Sequence, residues 1–158
     1  MTLSQTVRAV VAEYFCAEFA AEMKLGQANQ VDFWGNCLRV GNIRIELERR
    51  REDPVNNVAK AWRQADENPS EPAFTLVHVF SGFYSSESKR AKMVNARFVG
   101  EKMCAWARAN NRGIRYVAVS FDYEPPRGSG DPILPDTIAN QIRSQISHQL
   151  QDLIPKST

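Results

Sequence analysis

The sequence predicts a mixed α/β fold in a single domain spanning residues 1–158, and three observations carry that prediction. Between residues 30 and 49 apolar and polar residues alternate with a period of two, as strands require. FTLVHVF, Phe74–Phe80, is a near-continuous apolar run of the kind that forms a strand covered on both faces. Between and around these segments, apolar residues recur at helical spacing. A meander followed by crossover helices makes one mixed sheet flanked by helices, in the order α-β-β-β-α-β-α-β-α.

Each element has its own warrant. Val7, Val10, Val11, Tyr14 and Phe15 form one helical face from Leu3 to about Cys16, with Thr2 or Ser4 as cap. Residues 18–25 alternate well enough for a short strand, although their alanines argue against it. Strands are expected at residues 30–34, 37–40 and 43–49, separated by the turn dipeptides Gly35-Asn36 and Gly41-Asn42. In the last of these, Ile43, Ile45 and Leu47 point one way, and Arg44, Glu46 and Glu48 the other. Asp53-Pro54 reads as an N-cap and first helical residue, with Val55, Val58, Ala59 and Trp62 as the buried face. A break at residues 68–72 precedes the apolar strand. A long helix covers residues 86–109, where Gly100 permits a close contact. Residues 114–121 form another buried strand, residues 122–135 a loop, and residues 136–154 a helix. That last helix carries a narrow stripe of Ile138, Ile142, Ile146, Leu150 and Leu153, packed on the sheet or on a second copy of the chain. The fold core is thus expected over residues 3–121.

Hydrophobic residues at 43% and charged residues at 24% exclude a disordered or fibrous chain. Cys16, Cys37 and Cys104 form neither a CxxC pair nor a cluster with His, so free buried thiols are expected rather than disulfides or zinc. Arg8, Glu13 and Glu18 interrupt the N-terminal apolar run, and no apolar stretch approaches the roughly 20 residues of a membrane span. The expectation is a reduced, cytoplasmic protein with no membrane partner. The formal charge of +2 excludes a polybasic coat, but it is unevenly spread. Residues 39–115 carry fifteen basic and nine acidic side chains, whereas each flanking segment is net −2. Cationic surroundings of that kind suit a phosphate backbone.

Chemistry concentrates on one strand. Glu46 and Glu48 stand on the face opposite the core, and Asp32 lies on a neighbouring strand. Carboxylates held that close repel unless a cation such as Mg²⁺ joins them. Lys60, on the following helix and away from its apolar face, can lean over the same site. The bland alternative is the solvated face of an edge strand, with Glu46 and Glu48 paired to Arg44 and Arg49.

Helix, three-stranded meander, helix and strand, with Asp32 in QVDFWG and Glu46 in IRIELERRREDPVNNVAKAWR, resembles the PD-(D/E)XK (restriction endonuclease-like) nuclease superfamily. The topological resemblance covers residues 3–121 and the residue-level resemblance residues 30–63. It implies a DNA phosphodiester hydrolase using Mg²⁺ or Mn²⁺, with Asp32 and Glu46 as metal ligands. The motif lysine position is Glu48, giving Glu-x-Glu, and Val31 replaces the motif proline. In such relatives the lysine sometimes migrates to the next helix, and Lys60 fits that migration. The catalytic set implied is Asp32, Glu46, Glu48 and Lys60, with Glu18 and Glu22 as additional acids. Without a working lysine, the same resemblance implies a catalytically silent module that binds nucleic acid or a protein partner. A small interaction or inhibitor protein, using the acidic strand for recognition, is a further class, and a homodimer would let two strands be cut.

Basic residues divide between two readings. Arg49, Arg50 and Arg51 either grip phosphates or form a solvated turn. Lys89, Arg90 and Lys92 open the long helix, where positive charge opposes the helix dipole and suits an anion. His78, inside the apolar strand, reads as a hydrogen-bonded core imidazole, and His148 as exposed. Trp34, Trp62 and Trp106 read as core anchors. The loop at 122–135 either drapes over a ligand or is a plain excursion.

Overall fold

The structure is a computed structural model that describes residues 1–15, 18–25, 29–37 and 40–155, with side chains described for 1–15, 35–37 and 40–155. The order of elements is α1 (Leu3–Phe15), β1 (Glu18–Leu25), β2 (Asn29–Cys37), β3 (Gly41–Glu48), α2 (Val55–Glu67), β4 (Phe74–Phe80), α3 (Glu87–Ala109), β5 (Ile114–Ser120) and α4 (Asp136–Leu153), with a 3-10 turn at Gly82–Ser85. The five strands form one sheet in sequence order. β1, β2 and β3 are mutually antiparallel, while β3, β4 and β5 run parallel. The mixed α/β architecture expected from the sequence is present.

Topology places the helices. The two parallel steps, β3 to β4 and β4 to β5, advance in the same direction, so right-handed crossovers put α2 and α3 on one face. There Val58, Ala61, Ala65, Ala96, Met103 and Ala107 pack on Phe74, Leu76, Phe80 and Ile114. α1 and α4 cover the other face, over Ile43, Ile45, Leu47, Val77, Val79, Val117 and Val119. β3 is therefore the middle strand and is buried on both sides, the physical setting that decides the chemistry below.

Thr2 starts α1 in a capping box: its Oγ1 accepts from the Gln5 N–H at 3.2 Å, and Gln5 Oε1 accepts the Thr2 N–H at 2.9 Å. The alternation over residues 18–25 does produce a strand, β1, whose backbone pairs with β2 despite the alanines.

Several local expectations are corrected. Gly35-Asn36 is no turn. β2 runs straight through it to Cys37, with Gly35 opposite both Phe19 and Ile43, so Cys37 belongs to β2; residues 38 and 39 of the strand expected at 37–40 lie outside the described residues. The reversal comes later, and β3 begins at Gly41, whose φ of +82° suits a residue without a Cβ. Asp53 does not cap α2 through its side chain; Pro54 occupies the N-cap and the Asp53 carbonyl accepts the Asn56 N–H. The buried face of α2 is Asn57, Val58, Ala61 and Ala65, leaving Ala59 exposed and Trp62 half-buried against Trp106. β5 is an edge strand with Arg115 exposed, rather than a strand covered like β4. Its last residue is closed off by α4: Gln149 Oε1 accepts the Ser120 N–H at 2.9 Å, and Gln149 Nε2 donates to the Ser120 carbonyl at 2.7 Å. Cys37 is buried and Cys104 only half-buried. The α4 stripe of Ile142, Ile146 and Leu150 is spent within the chain, although Leu153 at its end is 55% exposed.

Candidate functional site

β3 delivers Glu46 and Glu48 to its carboxyl end, where the chain leaves the sheet through Arg49, Arg50 and Arg51 and enters α2. A pocket of about 480 Å³ opens there. One wall is Glu46, Leu47, Glu48 and the three arginines; α2 contributes Asn57 and Lys60, and the loop contributes Pro125, Pro126 and Gly128 to Gly130. In open sheets with parallel strands, ligands bind outside the carboxyl ends of those strands, and the pocket lies at that end of β3.

The edge-strand alternative is overturned. Glu46 and Glu48 are 6% and 2% exposed on the middle strand of the sheet. Arg44, on the same strand, does not pair with either. It forms an ion pair with Glu71, and its guanidinium lies 3.8 Å from the centre of the Phe74 ring. Burial lowers the Arg44 pKa, and Glu71 opposes that shift. Arg44 Nε and Nη1 are buried without a hydrogen-bond partner among the described residues.

Glu48 is held by a chain of side chains through the core. Glu48 Oε1 accepts from Asn57 Nδ2 and lies 2.8 Å from His78 Nε2. His78 Nδ1 lies 2.8 Å from the Tyr116 hydroxyl, and Arg51 Nη1 donates to Asn57 Oδ1 at 2.8 Å. His78 is wholly buried, so the core imidazole expected from the apolar strand is present, but its partner is a carboxylate of the pocket. Burial raises the Tyr116 pKa, as it does that of Tyr84, where the Glu48 charge adds to the shift. Tyr84 in turn donates from its hydroxyl to the Arg51 carbonyl at 2.7 Å.

The arginines are structural fasteners as well as pocket walls. Arg49 Nη1 donates to the Gly130 carbonyl at 2.6 Å. Arg50 Nη1 binds Glu124 Oε1 at 2.8 Å and the Pro125 carbonyl at 2.9 Å, and its guanidinium stacks over Phe83. The far end of the loop is tied to the N-terminus, where Leu3 N–H reaches the Pro132 carbonyl and Ser4 N–H reaches Asp131 Oδ1. The excursion at 122–135 is thus a pinned pocket wall. Lys89 and Lys92 engage Glu52, with Lys92 Nζ at 2.8 Å from its carboxylate, and Arg90 Nη2 donates to the Ser85 carbonyl at 3.3 Å. None of these three lysine and arginine residues lines the pocket.

Asp32 sits on β2 one residue beyond the Phe33–Ile45 pair, which places it level with Glu46 in the antiparallel register. Its side chain, those of Glu18 and Glu22 on β1, and that of Trp34 lie outside the described side chains. Among the described residues, no group of three or more His, Cys, Asp and Glu side chains gathers as a metal site. What the fold does bring together is Glu46, Glu48 and Lys60. Sequence reasoning missed Asn57 as a member of the site. A buried asparagine among the helix's apolar positions, nine residues after Glu48, is the signal that could have found it.

No protein-family model matches the chain, and no curated protein matches it. The described residues contain no helix long and apolar enough to cross a membrane.

Proposed function

We propose that the chain is a divalent-metal-dependent nuclease-like protein that hydrolyses DNA phosphodiester bonds, with its site in the pocket at the end of β3. The observation that carries this reading is the convergence of Glu46, Glu48 and Lys60 on one pocket rimmed by Arg49, Arg50 and Arg51. Two buried carboxylates are hard oxygen donors that fit Mg²⁺ or Mn²⁺, since Mg²⁺ commonly takes only one or two protein carboxylates and keeps several waters. Asp32, level with Glu46, and Glu46 are the residues that would hold the ion, with Glu18 and Glu22 as further acids from β1. A bound ion of this kind supplies Lewis acidity toward a phosphoryl oxygen and activates water.

The chain's own residues supply the rest. Lys60 places a positive charge opposite the acidic strand, where it orients the attacking water or offsets charge developing on phosphate. Glu48, fixed through Oε1, offers its other oxygen to a second ion or to a proton from that water. Arg49, Arg50 and Arg51 present guanidinium groups suited to phosphate oxygens.

A second reading, a silent module that binds nucleic acid or a protein partner, is favoured by one specific observation. Glu48 occupies the lysine position of the motif, and its Oε1 is committed to Asn57 and His78. Incubation with plasmid, single-stranded and branched DNA plus Mg²⁺ or Mn²⁺ separates the two. Cleavage abolished by Glu46→Ala and by Lys60→Ala supports the enzyme. Binding that weakens steeply with salt, without cleavage, supports the module.

A further inference from the structure

We propose that His78 and Tyr116 are positioning residues for Glu48, a buried relay that holds one oxygen of that carboxylate fixed and presents the other to the pocket. The proposal rests on the reading of the pocket as a divalent-ion and phosphate site.

Donors and acceptors alternate along the relay. An ionised carboxylate can only accept, so with a neutral ring His78 carries its hydrogen on Nε2 and donates to Glu48 Oε1. Nδ1 is then an acceptor, and the Tyr116 hydroxyl donates to it. Asn57 Nδ2 supplies a second hydrogen bond to the same Oε1, and Arg51 fixes the Asn57 amide from its other end. Both donors converge on Oε1, leaving Oε2 outside the relay on a residue that lines the pocket.

The register makes this arrangement specific. On the parallel ladder, His78 stands opposite Glu46, yet its ring reaches along the sheet to Glu48, two residues on. A ring placed only to fill space would gain nothing from that reach. The seat of Tyr116 is also prepared: α3 presents Gly100, where a Cβ would fall 2.4 Å from the Tyr116 ring. Polar groups in a core cost free energy unless each is satisfied, and apolar residues would pack β4 and β5 at less cost. Residues from α2, α3, β4 and β5 are thus committed to the orientation of a single carboxylate on β3.

The chain contains only two histidines, His78 and the exposed His148, so the ring nitrogens of His78 are directly assignable by nitrogen-detected NMR on the full chain. The relay requires the Nε2–H form in the wild type, held by Glu48, and a shifted Nδ1 signal in Tyr116→Phe, which removes the hydroxyl that donates to Nδ1 and keeps the ring. The second readout is Mn²⁺ affinity by paramagnetic titration. Partners behind a ligand commonly change metal affinity by about 10–100-fold, and His78→Leu is expected to lose affinity within that range. His78→Gln, which keeps an amide N–H at similar reach, restores most of it. If His78→Leu does not fold, Tyr116→Phe and His78→Gln decide the matter.

An Nδ1–H ring in the wild type overturns the relay, as does an Nδ1 signal unchanged by Tyr116→Phe. Equal Mn²⁺ affinity in wild type and His78→Leu overturns the positioning role. No Mn²⁺ binding by the wild type overturns the metal reading itself, and the relay is then decided by the ring nitrogens alone.

Discussion

Gly100 of α3 and Tyr116 of β5 are in such close approach that a single added methyl at residue 100 would sit 2.4 Å from Cδ1, Cε1 and nearly as close to Cγ of the ring. The contact fixes the height of α3 above the sheet, and through the Tyr116 hydroxyl it reaches His78 and Glu48.

Gly100→Ala tests that contact. Alanine favours a helix by about 1 kcal/mol over glycine, but here the methyl must displace a half-buried ring. Overpacking commonly costs about 1–3 kcal/mol. The expected net result is a lower denaturant midpoint, together with a changed His78 ring signal. A midpoint raised by the full helical gain would show that the ring yields freely.

Arg44 and Glu71 should respond asymmetrically. Removing Glu71 leaves a buried guanidinium with no compensating charge, a loss of about 3–5 kcal/mol. Arg44→Met fills a similar volume, and the abandoned Glu71 keeps its hydrogen bond from Asn68 Nδ2 at 3.0 Å. Chemical denaturation should therefore rank Glu71→Ala well below Arg44→Met, and the reverse order would refute the account.

Much of this architecture was legible in the sequence because β3, β4 and the helices have clean periods. IRIELE fixes its own register, and FTLVHVF announces burial on both faces. What stayed hidden is the consequence of strand order. Alternating Arg44, Glu46 and Glu48 look solvent-facing in one dimension, and only the crossover helix α2 turns that face into an interior. The Gly35-Asn36 dipeptide misled for a related reason: turn chemistry is permissive, and pairing on both flanks of β2 overrode it. The partner of His78 was equally out of reach, since thirty residues and a diagonal across two strands separate it from Glu48.

Glu52 gives a pH-dependent prediction. Its hydrogen bond to Lys92 is the main cause of its lowered pKa, assisted by Lys89. The folded value lies below the ordinary 4.5, so the stabilisation is complete above that value and drains away as pH falls through the folded value. The carboxylate is fully exposed, so salt should weaken the effect as well. A wild-type minus Glu52→Gln stability difference that shrinks on acidification and at high salt is expected; one that grows on acidification contradicts the sign.

Arg50→Ala should loosen the pocket wall. It removes the Glu124 pair, the Pro125 carbonyl contact and the stacking on Phe83 together. Arg127 is exposed in that loop, and loop tips of this kind are preferred sites of nicking. Limited trypsin digestion is expected to cut after Arg127 several-fold faster in the variant. Equal rates would mean that Arg49 and the N-terminal contacts suffice.

The amide of Gln149 against Ser120 bears on how copies of this protein can meet. A strand at the end of a sheet is a template on which another chain can polymerise. Here a side chain from α4 already plays the part of the missing neighbour at that residue, offering one donor and one acceptor in place of a backbone. Growth of the sheet from that corner is refused in advance. Two copies of this chain would therefore not extend the sheet through that end of β5.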